Sequence, residues 1–124
     1  MKYTKMSEAE REIMEFIWDA DDCVSSNDVM AGVSDHKGWK LTTTLTFLTR
    51  LTEKSMIVCE KKGKTNQYRP AVAREEFTQS EALSFLNSTY NGSVKSFVSA
   101  LYDSEGITRE EIDKLRDWVD SLED

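Results

Sequence analysis

At 124 residues the chain has room for one modest domain, or for a small domain with an appended oligomerisation segment. No stretch approaches ~18 uninterrupted apolar residues and the N-terminus holds no apolar run, so neither a membrane span nor a secretory leader is expected and the protein is read as cytoplasmic. A net charge of −7 argues against a uniformly basic nucleic-acid binder, but the charge is segregated: residues 1–36 carry 3 basic and 9 acidic side chains, residues 37–74 carry 9 and 2, and residues 75–124 carry 4 and 12.

In chain order, Ser7-Glu-Ala-Glu10 is a capping-box pattern that starts a first helix. Ala9, Ile13, Phe16 and Ile17 recur at helical spacing as its buried stripe, and Trp18 closes the run as a further core residue before Asp-Ala-Asp-Asp breaks it. Cys23-Val24-Ser25 can form a stub of strand. Ser25-Ser-Asn-Asp28 is a second capping signal, and the short helix behind it is expected to run to about Asp35, followed by a turn containing His36, Lys37 and Gly38. Cys23 and Cys59 stand 36 positions apart without a partner motif, and both are read as reduced and mostly buried. With His36 as the only histidine, no metal or other cofactor is expected.

The third helix, after Trp39, is the unusual one. At about 100° per residue, Thr42, Thr43, Thr46, Thr49 and Arg50 fall on one arc, while Leu41, Leu45, Phe47, Leu48 and Leu51 fill the opposite, core-facing arc. A solvated helix face normally carries Glu, Lys and Gln, which favour the helix more than Thr does. Short hydroxyl side chains allow deep entry into the DNA major groove, where a Thr methyl can pack on a thymine methyl and Arg can bridge O6 and N7 of guanine. The plain alternative is a half-buried helix against another protein. Two short helices followed by this one read as a helix-turn-helix.

Met56 to Cys59 then form an apolar, β-branched run, Lys61-Lys-Gly-Lys64 a turn, and Asn66 to Arg69 a return strand ended by Pro70. A lysine-tipped hairpin alone can be edge protection. Directly after a polar-faced helix it reads as a wing that touches DNA backbone. From Arg74 onward the chain is helical and acidic: Phe77, Leu83, Leu86 and Tyr90 stripe one helix, Val94, Phe97, Val98, Leu101 and Tyr102 a second, and Ile112, Leu115, Trp118, Val119 and Leu122 a third that starts at the Thr108 capping box. These stripes can fold back on the front domain or pair with a second copy, and palindromic DNA reading favours pairing. The absence of a Gly-rich phosphate loop or a nucleophile with a partner base argues against an enzyme. The remaining rival is a winged helix used as a protein-interaction module.

Three strings carry a likeness to a known family: Ser7-Glu-Ala-Glu10 with Ile13-Met14 and Ile17-Trp18; Trp39 followed by Thr42 to Leu51; and Gly63-Lys-Thr-Asn-Gln-Tyr-Arg-Pro70. The chain resembles, over essentially its whole length, the penicillinase-repressor family, the BlaI/MecI/CopY group of bacterial transcriptional repressors. The resemblance implies a mostly α fold with a small β-hairpin wing: an N-terminal winged helix-turn-helix over 1–72 and a C-terminal helical dimerisation segment over 73–124. It implies repression by a homodimer on a palindromic operator in double-stranded DNA.

Base-reading or groove roles fall by the resemblance on Thr42, Thr43, Thr46 and Arg50, and a backbone role on the wing lysines Lys61, Lys62 and Lys64; Lys40 and Thr49, beside the same face, are further backbone candidates. Dimerisation falls on Leu83, Leu86, Tyr90, Phe97, Val98, Leu101, Leu115, Trp118 and Leu122. The tail lacks the cysteine pairs of the copper-responsive branch, which excludes copper sensing by that route. In the β-lactam-responsive branch a sensor protease system leads to a cut at an Asn-Phe bond, and Ala100-Leu101 occupies that position here as the candidate induction cleavage site. Two further departures affect the third helix. Thr44 stands where an aliphatic residue is usual, so its hydroxyl is expected to bond the carbonyl of residue 40, and Ser55 stands where a helix-ending Gly is usual.

Overall fold

Ser7 starts the first helix through a reciprocal pair of bonds, its hydroxyl accepting from the Glu10 amide at 3.2 Å and its own amide donating to Glu10 Oε1 at 2.8 Å. In this computed structural model, which describes residues 5–122, that helix (α1, Glu8–Asp19) buries Ile13, Met14 and Ile17. Its buried stripe is rotated from the one expected. Ala9, Phe16 and Trp18 are half-buried, with Phe16 and Trp18 packed against the core from its edge, while Met14 joins the buried side. Phe16 also lies across Gly32, where its Cε1 stands 2.1 Å from the position a Cβ would occupy, so any larger residue there would push the Phe16 ring aside. Trp18 keeps a polar duty at the core edge, donating its indole N–H to the Val72 carbonyl at 2.9 Å.

The second helix is capped by Ser25 and Asp28 in the same reciprocal manner. It begins as α2 (Ser26–Val29), widens into a π-helical turn (Met30–Ser34) and ends as α3 (Asp35–Lys37). The helical stretch therefore passes the expected end near Asp35 and takes in His36 and Lys37. It stops at Gly38, which supplies the left-handed stop with φ of 74° that those side chains adopt only at a cost. Helix α4 (Leu41–Glu53) follows after Trp39.

The strands form a three-stranded antiparallel sheet in the order β1-β3-β2, with β1 at Val24–Ser25, β2 at Ile57–Lys62 and β3 at Thr65–Pro70. The hairpin turn is tighter than expected. Lys61 and Lys62 lie in β2 opposite Asn66 and Thr65, leaving only Gly63 and Lys64 as the loop. Gly63 alone takes positive φ, 66°, the pattern of a type II′ turn whose twist matches the strands. Pro70 is the last residue of β3, where its missing N–H does least harm to the ladder. Cys59, read from the sequence as mostly buried, is exposed, and Cys23 is half-buried. Cys59 shares a sheet face with Ile57 but sits two residues nearer the hairpin tip on β2, an edge strand of the sheet.

Two compact units make up the chain, Met1–Ser80 and Glu81–Asp124. The first unit reaches into α5 (Arg74–Tyr90) because Phe77 is buried against Trp18, with ring centroids 5.8 Å apart. Arg74 fastens the same turn to α1, pairing with Glu15 and Asp19 at 2.7 Å each. The second unit holds the rest of α5, then α6 (Val94–Asp103) and α7 (Arg109–Ser121), the last opened by a Thr108–Glu111 capping box. Within it Phe85, Tyr90 and Phe97 form an aromatic triangle with centroid separations of 5.4–6.0 Å. No residue from 81 to 122 is fully buried within the chain. The protein is thus mostly α-helical with a small β-hairpin wing beside a helix-turn-helix. Among the described residues no helix is long and apolar enough to cross a membrane.

Candidate nucleic-acid interface

Helix α4 is set by three residues, Thr44, Leu48 and Leu51, which succeed one another at i, i+4 and i+7 and are all fully buried. Thr44 is the unusual member. Its hydroxyl lies 2.6 Å from Ser34 Oγ and 3.2 Å from the Lys40 carbonyl, with Met30 Sδ also at 3.2 Å. One hydroxyl proton cannot serve every acceptor. Both buried hydroxyls are satisfied when Ser34 donates to Thr44 and Thr44 donates to the Lys40 carbonyl. The bond to residue 40 was expected; the Ser34 partner, one helix away, was not visible in the local pattern. This pair ties the second helix to the first turn of α4 and so fixes the angle between them.

With that side held down, the opposite side of α4 faces outward. Thr42, Thr46, Thr49 and Arg50 are exposed and Thr43 is half-buried at the edge of the arc. The Thr46 hydroxyl donates to the Thr42 carbonyl at 3.0 Å, leaving a lone pair and a methyl group to the surroundings. Leu41 and Leu45, expected in the buried arc, are instead 45% and 37% exposed. The physical reason is angular for one and positional for the other. Leu45 stands about 90° from the middle of the Thr44–Leu48–Leu51 strip, outside what one helix can press into so small a core, while Leu41, only about 20° round from Leu48, is set apart by its place as the first residue of the helix. Lys40 is exposed at the N-cap and makes no side-chain capping bond, so no side chain closes the positive end of the helix through that residue.

The helix ends against the sheet through a left-handed residue. Ser55 has φ of 63°, a conformation that costs a non-glycine residue energy, and it leads directly into the buried Met56 and Ile57. Behind it, Lys54 donates to Glu10 Oε1 at 2.7 Å and to the Lys5 carbonyl at 3.1 Å. Burial pushes the Glu10 carboxyl up, but the bonds from Lys54 and Ser7 outweigh it and hold the group below the usual glutamate range. Glu10 Oε2 is buried without a protein partner, so the pair is anchored through one oxygen.

On the wing, Lys61, Lys62 and Lys64 are exposed and, among the described residues, have no ion-pair partner. Glu60, the acid nearest to them in sequence, is paired with Arg69 across the hairpin at 2.7 Å. Thus the exposed side of α4 offers hydroxyls, methyls and one guanidinium, and the wing offers unpaired ammonium groups. No cluster of three or more potential metal ligands occurs among the described residues.

In the second unit Leu83, Trp118 and Leu122 are 60%, 57% and 53% exposed, while Leu86, Tyr90, Phe97, Val98, Leu101 and Leu115 are half-buried. The Ala100–Leu101 bond lies inside α6, with both residues half-buried.

Residues 6–121 match the family model described as Penicillinase repressor. The Penicillinase repressor of Bacillus licheniformis is 31% identical over 114 residues, covering 92% of this chain and 88% of that protein. The Methicillin resistance regulatory protein MecI of Staphylococcus aureus (strain N315) is 30% identical over 115 residues, 93% of each chain. Among solved structures, the DNA binding domain of the repressor BlaI superposes with a TM-score of 0.54 at 30% identity, over 61% of this chain and 93% of that one. The Bacillus licheniformis BlaI monomeric form in complex with the blaP half-operator gives 0.52 at 29% identity, over 60% and 90%. On the extent of the family match and on identities sustained over nine-tenths of both chains, this protein belongs to the penicillinase repressor family.

Proposed function

We propose that the chain is a DNA-binding transcriptional repressor that occupies a palindromic operator as a homodimer. Residues 1–72 read the DNA, residues 73–124 pair two copies, and an inducing signal ends repression by proteolysis in the tail. The observation that carries this reading is the exposed face of α4, with Thr42, Thr46, Thr49 and Arg50 outward, beside a wing of unpaired lysines. Base contacts specify and phosphate contacts position: the first kind suits Thr42, Thr46 and Arg50 with Thr43 at the rim, the second Lys40, Thr49, Lys61, Lys62 and Lys64. Relatives that are named repressors, and a BlaI structure in complex with a half-operator, support the same assignment.

Pairing through the tail is supported by the half-uncovered Leu83, Trp118 and Leu122. Cleavage at Ala100–Leu101 would require α6 to unwind locally, since a protease takes its substrate extended; the tail's lack of a fully buried residue lowers that cost.

The test is a selection of sheared source-genome DNA by the purified full chain, followed by a salt titration on the enriched duplex. A palindrome with half-sites about one helical turn apart is expected, with a log–log salt slope near −5 for ~6 phosphate contacts per dimer. A folded dimer that enriches no sequence and binds with a shallow slope would transfer the α4 face to a protein partner.

A further inference from the structure

We propose that Leu41 and Leu45 read thymine methyl groups in the major groove, a source of specificity separate from the threonines and Arg50. The proposal rests on the DNA-binding reading above. Both leucines lie in the first half of α4, the end that a recognition helix turns toward base edges. They are 45% and 37% exposed, whereas Phe47, Leu48 and Leu51 on the same helix are half or wholly buried. A single exposed leucine needs no explanation. Two of them one turn apart, at i and i+4, make a continuous apolar strip, and on the helix surface that strip borders Thr42 and Thr49.

The neighbouring hydroxyls sharpen the chemistry. Because Thr46 donates its hydroxyl hydrogen to the Thr42 carbonyl at 3.0 Å, what it has left to offer is a methyl group and an acceptor lone pair. The exposed side of the first two turns is therefore rich in methyl groups until Arg50 is reached. In the major groove one base edge answers apolar contact, the C5 methyl of thymine. Charge favours DNA over an apolar protein surface as the occupant. The strip begins directly after the exposed Lys40, with the unpaired wing lysines in the same unit and Arg50 on the far side of the helix, and a cationic surround fits a groove walled by phosphates while the centre of a protein interface is depleted of charge.

The experiment uses the full chain and the duplex enriched from a random pool. Each thymine of one half-site is replaced in turn by deoxyuridine, which removes the methyl and leaves base pairing intact. At one or two positions the uracil duplex should bind about 3- to 10-fold more weakly, the size expected for one methyl group or two withdrawn from contact. The double variant Leu41→Ala, Leu45→Ala should bind thymine and uracil duplexes equally at those positions, with an unchanged salt slope and a cooperative unfolding transition that shows the chain still folded. Equal binding of both duplexes by the parent chain at every position would overturn the proposal, as would a double variant that keeps the full thymine preference. If binding is salt-steep and weakened by Arg50→Ala yet indifferent to the methyls, only this inference fails. If no sequence is enriched and binding is salt-independent, the DNA-binding reading fails with it.

Discussion

Arg50 is the one cation on the exposed arc of α4, and a guanidinium there can donate to two acceptors on a guanine edge in one fixed geometry. Its replacement by alanine is expected to weaken operator binding by about 1–3 kcal/mol and to relax the preference at one base pair, as a competition titration against point-substituted operators would report. Ser55 poses a stability question instead. At φ of 63° it holds a conformation that glycine adopts freely, so Ser55→Gly should stabilise the chain by about 1 kcal/mol in urea unfolding without altering DNA affinity.

Glu10 brings in pH. Its carboxyl is held below the ordinary range, so protonation costs more in the folded chain than in the unfolded one. That stabilisation is whole above the unfolded value of about 4.3 and is lost as pH falls through the lower folded one. Glu10→Gln should therefore cost about 1–3 kcal/mol at neutral pH and flatten stability in the acid range below about pH 4. A mutant as acid-sensitive as the parent would put the sensitivity elsewhere.

At the scale of elements, the parts written locally in the sequence were legible and the parts set by distant neighbours were not. Capping boxes at Ser7, Ser25 and Thr108 show themselves within four residues, and each marks a helix start in the fold. The turn at Gly63 was visible for the same reason. Periodicity, however, gives only the angles between residues on a helix and not the direction of the core. Five apolar residues on α4 were assigned to one buried arc, although an arc wide enough to hold both Phe47 and Leu45 exceeds what a helix of this small unit can cover. The bond between Lys54 and Glu10 spans 44 positions, and neither residue announces the other. Of the interface, the polar threonine face could be read from residue types alone, while the Ser34–Thr44 tie beneath it needed the packing of two helices.

The wing makes its own prediction at this scale. Lys62 and Lys64 lie on either side of Gly63 and carry no ion-pair partner among the described residues. Replacing both by alanine should weaken binding to every duplex by a similar factor and reduce the salt slope by up to about 2 per wing. A loss confined to one operator sequence would assign the wing a base-reading role.

At the scale of the whole molecule, the two units predict different results from two truncations. A chain ending at Ser80 keeps Phe77 and Arg74, and it should fold as a monomer that retains DNA contacts but loses dimer affinity. A chain ending at Ala73 loses the buried Phe77 ring and should be less stable by about 3 kcal/mol. Sedimentation and urea unfolding of the two fragments would separate these outcomes, and a dimeric 1–80 fragment would move the pairing surface out of the tail.

A tail without one fully buried side chain between 81 and 122 leaves its folding to the company it keeps. If two tails complete each other, their stability rises with the number of molecules present, as it does for any obligate pair. Below the dissociation constant, the concentration of pairs then follows the square of the protein concentration. Halving the protein's concentration, by one doubling of cell volume without new synthesis, would cut the concentration of paired repressor about fourfold by that mass action. Solitary chains with loosened helices would be the first to be degraded. Repression would in that way end abruptly after synthesis stops, even before any inducer acts.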